Sequence, residues 1–150
     1  MTNAQRMIGL KAVLWFSAIF HLVAGPMIAF SGDGAATYAS MVFGMTLDMT
    51  PQMGYVLESS GLYALAFGAL VLCAALNPEK HKATIYVTLG LYLCRFFNRL
   101  TSVDYICATF DVPESRAWVA IFTLGTISTL LFVFRPRSDS SQPLSEPSLR

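Results

Sequence analysis

The sequence predicts an all-α, polytopic integral membrane protein built as a four-helix bundle, and three observations support this prediction. Of the 150 residues, 55% are hydrophobic and 13% are charged, whereas an average soluble domain is about 25% charged. A soluble fold of this size has too small an interior to bury so much apolar surface. Four apolar segments are long enough to cross a bilayer as helices, at about 20 residues per crossing, and most charges fall outside them.

The predicted spans cover 12–32, 55–76, 83–103 and 117–134. The first contains no charged residue, and Pro26 is expected to kink it near its far end. In the second, small residues recur every four positions, which allows a neighbouring helix to approach its backbone closely; they are Ser60, Ala64 and Gly68. Residues 1–135 are therefore predicted to form one membrane domain. Residues 136–150, rich in Ser and Pro, are predicted to be a disordered cytoplasmic tail.

The positive charges predict the orientation, because cytoplasmic loops are enriched in Lys and Arg. With four spans, one side of the membrane receives Arg6, Lys11, Lys80, Lys82, Arg135, Arg137 and Arg150, and the other side receives only Arg116. Both termini are therefore predicted to be cytoplasmic. The net charge of +1 gives no indication of a nucleic-acid partner.

The connection after the first span carries four methionines at intervals of four residues: Met41, Met45, Met49 and Met53. This spacing is compatible with a short helix lying in the membrane interface, which Pro51 would interrupt. Thioethers also bind copper(I). We favour simple packing at the mouth of the bundle, since methionine fills irregular gaps, and we predict no metal site.

The third span is the most informative stretch, because it contains two arginines. Thr84, Thr88, Tyr92 or Leu91, Arg95, Arg99 and Ser102 recur at steps of three and four, and this spacing places them on one helical face. An arginine in hydrocarbon costs about 2.5 kcal/mol or more at the bilayer centre. This face is therefore expected to contact protein or water.

Counting 1.5 Å per residue from the cytoplasmic side brings several polar residues to similar depths. Glu58, Arg95, Arg99 and Asn98 are expected in the outer half of the membrane, with His21 just below them. Glu58 with either arginine could be a structural ion pair that fixes how two helices dock. Alternatively, these residues line a pocket that is open outward and binds an anionic or amphipathic ligand, and we include Ser102 in this candidate site.

His21 shares a helical face with Ser17 and Gly25, which favours packing against a neighbouring helix. Ligation of a haem or a chlorophyll is the alternative, because imidazole is a common metal ligand. No other residue supports such a site, so we predict no cofactor. The sequence also lacks a P-loop, a GxSxG motif, an HExxH motif and a pair of carboxylates, which argues against catalysis.

Three short motifs resemble those of the DoxX-like group of small bacterial four-helix membrane proteins. The sequence Glu58-Ser59-Ser60-Gly61 opens the second span, Asn98-Arg99-Leu100-Thr101-Ser102 ends the third, and Asp111-Val112-Pro113 precedes the fourth. The group carries an acid-x-x-Gly and a Gly-Arg-x-x-Ser at these places, and Asn98 replaces the glycine here. The resemblance implies a compact bundle in a bacterial inner membrane, with Glu58, Arg99 and Ser102 in a polar cluster.

Two functions are compatible with these features. The first is a non-catalytic accessory or assembly subunit that packs against a larger membrane complex or against copies of itself, with the lipid bilayer as its solvent. The second is a bundle that binds a lipid-like or quinone-like molecule in an outer-half polar pocket, as a binding protein or as an enzyme. A transporter would need an oligomer, since four helices are few for a pathway.

Overall fold

A computed structural model describes residues 2–31 and 34–136, and within these ranges the chain forms six helices and no strand. The all-α prediction is therefore confirmed. The part of the predicted tail beyond Pro136 lies outside the described residues, as do the last residue of the first predicted span and Asp33. The helices are α1 (Asn3–Phe30), α2 (Gly34–Phe43), α3 (Pro51–Leu76), α4 (Lys82–Thr101), α5 (Val103–Phe110) and α6 (Glu114–Phe134).

Local sequence signals determine where several helices begin and end. At the start of α1, Thr2 and Gln5 form a capping box, in which each side chain accepts a hydrogen bond from the other residue's backbone N–H. The Thr50 hydroxyl caps α3, and Pro51 occupies the first turn, where no N–H is needed. Asp111 ends α5 in the left-handed conformation with φ 52°, which Asp tolerates better than most residues.

Three helices are long and apolar enough to cross a membrane: α1, α3 and α6. The predicted third span corresponds to α4, which has a sufficient length of 20 residues but is not among these three. It contains Lys82, Arg95, Asn98 and Arg99, which lower its hydropathy. The membrane crossing of α4 therefore stays a prediction.

The hydrophobic core lies at one end of the long helices. Helix α1 packs against α3 and α6, and α4 packs against α6 and α3. The buried core residues come from the first part of α1 and α4 and from the last part of α3 and α6, so they share one end, which we call the core half. They are Leu10, Leu14, Ala18, Val71, Ala74, Ala75, Ile85, Leu89, Tyr92, Ile127 and Leu131.

The opposite end, which we call the α2 half, is less completely packed. Beyond Tyr92, no residue of α4 is fully buried. Helix α2 contacts α1 and α6 at this end. Arg116 of α6 donates hydrogen bonds to the carbonyl oxygens of Ser40 and Met41, at 3.2 and 3.4 Å. Its side chain also lies against Gly44, which directly follows α2. The φ of 68° at Gly44 favours glycine, and a Cβ there would lie 2.8 Å from the Arg116 Cδ.

Helices α1 and α3 approach each other most closely at Gly25 and Gly61. A Cβ at Gly25 would lie 2.7 Å from the Leu65 nitrogen, and one at Gly61 would lie 2.6 Å from the Ala29 nitrogen. A Cβ at Gly68 would lie 3.0 Å from the His21 Cβ, so Gly25, Gly61 and Gly68 form what we call the glycine seam. Of the predicted small-residue row, Gly68 therefore lies in this contact, whereas Ser60 is exposed and its neighbour Gly61 takes part instead.

Candidate functional site

His21 of α1 is buried, with 3% of its surface exposed, and both ring nitrogens have partners. Its Nδ1 lies 2.8 Å from the carbonyl oxygen of Ser17, one turn earlier on the same helix. Its Nε2 lies 3.4 Å from an NH1 of Arg95 on α4. A carbonyl only accepts and a guanidinium only donates, so Nδ1 carries the proton and Nε2 accepts. The neutral imidazole of His21 on α1 thus accepts a hydrogen bond from the guanidinium of Arg95 on α4.

Arg95 has a second cation beside it. Arg99 follows four residues later on the same face of α4, and the two guanidinium charges are near enough to interact. The Arg99 guanidinium lies over the ring of Phe43, 5.6 Å from its centroid, within the range of a cation–π contact. Each arginine is thus positioned by a different aromatic residue, His21 from α1 and Phe43 from α2.

Tyr38 of α2 completes what we call the arginine cluster: His21, Tyr38, Phe43, Arg95 and Arg99. Only 8% of Tyr38 is exposed, and its hydroxyl has no hydrogen-bond partner among the described residues. Burial raises the pKa of the Tyr38 phenol, and the charge of Arg95 opposes this only in part. The hydroxyl is therefore a protonated donor in the neighbourhood of Arg95, and a buried donor without a partner is costly.

A second buried hydroxyl lies deeper beside His21. Ser17 is fully buried, and its Oγ has no well-formed hydrogen bond in the part of the chain that the structure describes. The Tyr92 hydroxyl approaches it without reaching the geometry of such a bond. Aromatic rings enclose His21 on several sides, at centroid distances of 5.4 Å for Phe20, 4.9 Å for Phe67 and 6.2 Å for Tyr92.

The predicted ion pair between Glu58 and an arginine is not found among residues 2–31 and 34–136, where Glu58 is exposed. The reason is depth along the helix axis. Gly68 lies against His21, and Glu58 precedes Gly68 by ten residues, about 15 Å along α3. Arg95 reaches back to His21, since helical side chains tilt toward the N-terminus. Its guanidinium therefore lies far below Glu58.

The other two predicted residues lie at the edge of the arginine cluster. Asn98 is exposed, and its backbone carbonyl accepts a hydrogen bond of 3.1 Å from the backbone N–H of Ser102, at the end of α4. Ser102 is half-buried. The structure thus brings His21, Arg95 and Arg99 together, and it places Asn98 and Ser102 on the adjoining turns and Glu58 apart.

The described residues offer few groups that could ligate a metal ion. These contain no group of three or more His, Cys, Asp or Glu side chains that could hold an ion. The Nε2 lone pair of His21, which a haem or chlorophyll would require, is directed at Arg95. The four methionines do not share one helix: Met41 lies in α2 and Met53 in α3, while Met45 and Met49 lie in the connection between them.

An apolar groove of about 550 Å³ lies apart from the arginine cluster, between α1 and α6. Phe16 of α1 and Phe122 of α6 line this groove, and its polar lining residues are Thr123 and Thr126. None of the six predicted site residues lines it. The groove can accept a hydrocarbon chain or a helix ridge, but it offers no charge.

Sequence reasoning missed Tyr38 and Phe43, which α2 supplies. The signal was weak, because α2 has only ten residues and an isolated helix of that length is marginal. The residues of α2 that the structure buries are Ala35, Tyr38 and Ala39. Three positions are too few to predict from sequence which face of α2 packs against the other helices. No protein-family model matches the sequence, and comparisons with curated proteins and with solved structures give no match.

Proposed function

We propose that this chain is a four-helix membrane protein that binds an anionic amphiphile, with the head group at the arginine cluster and the tail beside the helices. In this proposal α4 is the fourth span, both termini are cytoplasmic and the α2 half faces outward, in a bacterial inner membrane. The observation that carries the proposal is the pair of guanidiniums, Arg95 and Arg99, without a carboxylate partner among the described residues.

The energetic argument concerns the repulsion between these two charges. Side chains at i and i+4 on a helix lie roughly 6 Å apart. At an effective dielectric constant of about 20, two like charges at that distance repel by about 3 kcal/mol, less where water reaches Arg95. An anion between them adds two attractions that outweigh this repulsion, and it also gives the Tyr38 hydroxyl an acceptor. A neutral quinone-like head group could accept from Tyr38 but would leave both charges uncompensated.

Access to the site also favours a membrane ligand. Arg95 is exposed although it contacts buried His21, and α4 has no fully buried residue beyond Tyr92. The cluster is therefore reachable from beside α4, where lipid would surround the protein. Helix α2 covers it from the other direction with Tyr38 and Phe43.

The experiment compares amphiphiles with the same tail and different head groups. Protein purified in dodecyl maltoside is heated with dodecanoate, with dodecyl phosphate or with dodecyltrimethylammonium, and the unfolding temperature is recorded. We expect at least one of the two anions to raise the midpoint further at each higher concentration, and the cation to leave it unchanged. Equal effects of anions and cation would contradict the proposal.

Variants locate the binding site. We expect Arg95→Leu to remove the anion effect more completely than Arg99→Leu, because Arg95 lies deeper and is held by His21. Lys82→Gln removes one charge from the exposed start of the same helix and serves as the matched control. If Lys82→Gln weakened the anion effect as much as Arg95→Leu, the anions would be acting on net charge and not at the cluster.

A second candidate, the accessory subunit, is favoured by the groove between α1 and α6. Large apolar side chains stand exposed beside it, with 56% of Phe16, 65% of Val119 and 69% of Phe122 accessible. We propose this surface as the contact for another membrane subunit or a second copy. Blue-native electrophoresis of mildly solubilised membranes tests it, and migration at monomer mass in every mild detergent would contradict it.

A further inference from the structure

The charge and the number of donors in the arginine cluster indicate which anionic head group it takes. We infer that the cluster recognises a phosphate monoester on a hydrophobic chain, in preference to the carboxylate of a fatty acid. This inference rests on the proposed anion site and narrows its ligand class.

The first argument is charge. Arg95 and Arg99 supply two positive charges, and the described residues contribute no carboxylate to offset them. A phosphate monoester carries about −1.5 to −2 at pH 7, because its second pKa is near 6. A carboxylate carries −1 and would leave one guanidinium uncompensated. The monoester therefore matches the cluster in charge.

The second argument is the number and origin of the donors. A single guanidinium satisfies a carboxylate through two parallel N–H···O bonds, so a fatty-acid site needs only one arginine. Here Arg95, Arg99 and the Tyr38 hydroxyl come from two helices, α4 and α2. A tetrahedral phosphate offers three terminal oxygens, one for each of these donors.

The third argument is pre-organisation. His21 holds the Arg95 guanidinium at 3.4 Å, and the ring of Phe43 supports that of Arg99 at 5.6 Å. Neither arginine must surrender a salt bridge within the described residues in order to bind. Groups already held in place lose less side-chain entropy on binding, which strengthens the affinity for a matching ligand.

The fourth argument is position. Arg95 follows Lys82 by thirteen residues, about 20 Å along α4, so in a hydrocarbon layer of about 30 Å it lies roughly 10 Å below the outer surface. Helix α2 covers the cluster at that end, with Tyr38 nine-tenths buried. We expect this cover to favour a compact phosphate drawn in from beside α4 over a phosphate that bears a large polar substituent.

The test is a titration in dodecyl maltoside at about pH 8, where the monoester is mostly dianionic. The probes are dodecyl phosphate, dodecanoate and inorganic phosphate. We expect dodecyl phosphate to produce a given rise in the unfolding midpoint at a concentration about ten-fold lower than dodecanoate needs. We expect inorganic phosphate to need a concentration higher by about ten-fold or more than dodecyl phosphate, since it has no chain to bury.

Each outcome separates this inference from the proposal it rests on. Equal protection by dodecyl phosphate and dodecanoate would overturn the phosphate preference and leave the anion site standing. Inorganic phosphate acting as well as dodecyl phosphate would overturn the claim that a hydrophobic chain is recognised. Protection by neither anion, with no dependence on Arg95, would remove the anion site itself.

A variant tests the two-arginine argument directly. Because a carboxylate needs one guanidinium, we expect Arg99→Gln to reduce the preference for dodecyl phosphate over dodecanoate from about ten-fold to less than about three-fold. Dodecanoate binding should change by less than about two-fold. An undiminished preference in folded Arg99→Gln would show that Arg99 does not contact the head group. If this variant does not fold, the titrations of the unmodified protein with dodecyl phosphate, dodecanoate and inorganic phosphate still test the phosphate preference.

Discussion

The imidazole of His21 joins α1 to α4 by accepting a hydrogen bond from Arg95 at 3.4 Å, while its Nδ1 donates to the Ser17 carbonyl at 2.8 Å. The second bond fixes both the tautomer and the direction of the ring. The partner of Arg95 is thus a neutral acceptor, and its full positive charge remains available to a ligand.

This relationship predicts that His21→Leu lowers the free energy of unfolding by roughly 1–3 kcal/mol, the usual cost of leaving a polar group without its partner. His21→Gln should recover part of the loss, because its amide oxygen can accept from Arg95. Chemical denaturation in detergent measures both. The double variant His21→Leu/Arg95→Leu should be less destabilised than the sum of the single variants, and strict additivity would show that the two residues are not coupled.

Substitution of Glu58, unlike that of His21, is expected to change the free energy of unfolding very little. It is exposed and forms no ion pair in the described part of the chain, so Glu58→Gln should change the free energy of unfolding by no more than about 0.5 kcal/mol, as is usual for surface substitutions. The same denaturation experiment decides this. A loss of 3–5 kcal/mol, the approximate cost of breaking a buried pair, would restore the ion pair that the sequence suggested.

The glycine seam between α1 and α3 predicts a large effect from a small change. Gly61→Ala places a methyl group 2.6 Å from the Ala29 nitrogen and 2.8 Å from the Gly25 oxygen. These are backbone atoms, so the helices must separate, at a cost of about 1–3 kcal/mol or more. Thermal unfolding in detergent gives the measurement.

Gly90→Ala is the matched control for the seam, since a Cβ there would meet nothing within 4 Å. This change should be neutral or stabilise α4 by up to about 1 kcal/mol, because alanine has the higher helix propensity. Comparable losses in Gly61→Ala and Gly90→Ala would show that helix propensity, and not the close crossing, explains the result.

Some residues of the arginine cluster could be placed from the sequence alone. The spacing of Thr88, Tyr92, Arg95 and Arg99 predicted one face of α4. The structure buries Thr88 and Tyr92 there, half-buries Arg99 and leaves Arg95 exposed. Rise per residue placed His21 just below Arg95, and the two are in contact. Depth counting succeeds for these residues because a helix converts residue number directly into distance along its axis.

Other features depend on tertiary packing that a one-dimensional pattern does not contain. Small residues at both Ser60 and Gly61 permit a close crossing, and the rotation of α3 about its axis decides in favour of Gly61. The contribution of α2 was not foreseeable from periodicity. Helix α2 packs against α1, and Arg116 donates to the Ser40 and Met41 carbonyls, which joins segments some 75 residues apart in sequence.

Tyr38 gives a prediction in which stability and binding respond in opposite directions. Its buried hydroxyl has no hydrogen-bond partner among the described residues, so removing it relieves a cost of about 1–3 kcal/mol for an unsatisfied buried donor. Tyr38→Phe should therefore be as stable as the unmodified protein, or more stable, when no ligand is added. In the presence of dodecyl phosphate the same variant loses a donor to the head group. A hydrogen bond worth about 1 kcal/mol corresponds to roughly five-fold weaker binding.

Tyr105→Phe is the control, because Tyr105 is 67% exposed on α5 and its substitution should alter neither stability nor binding. Thermal unfolding across a dodecyl phosphate titration measures both effects in one experiment. Lower stability of ligand-free Tyr38→Phe would mean that the hydroxyl already has a partner, and unchanged affinity would mean that the head group binds away from α2.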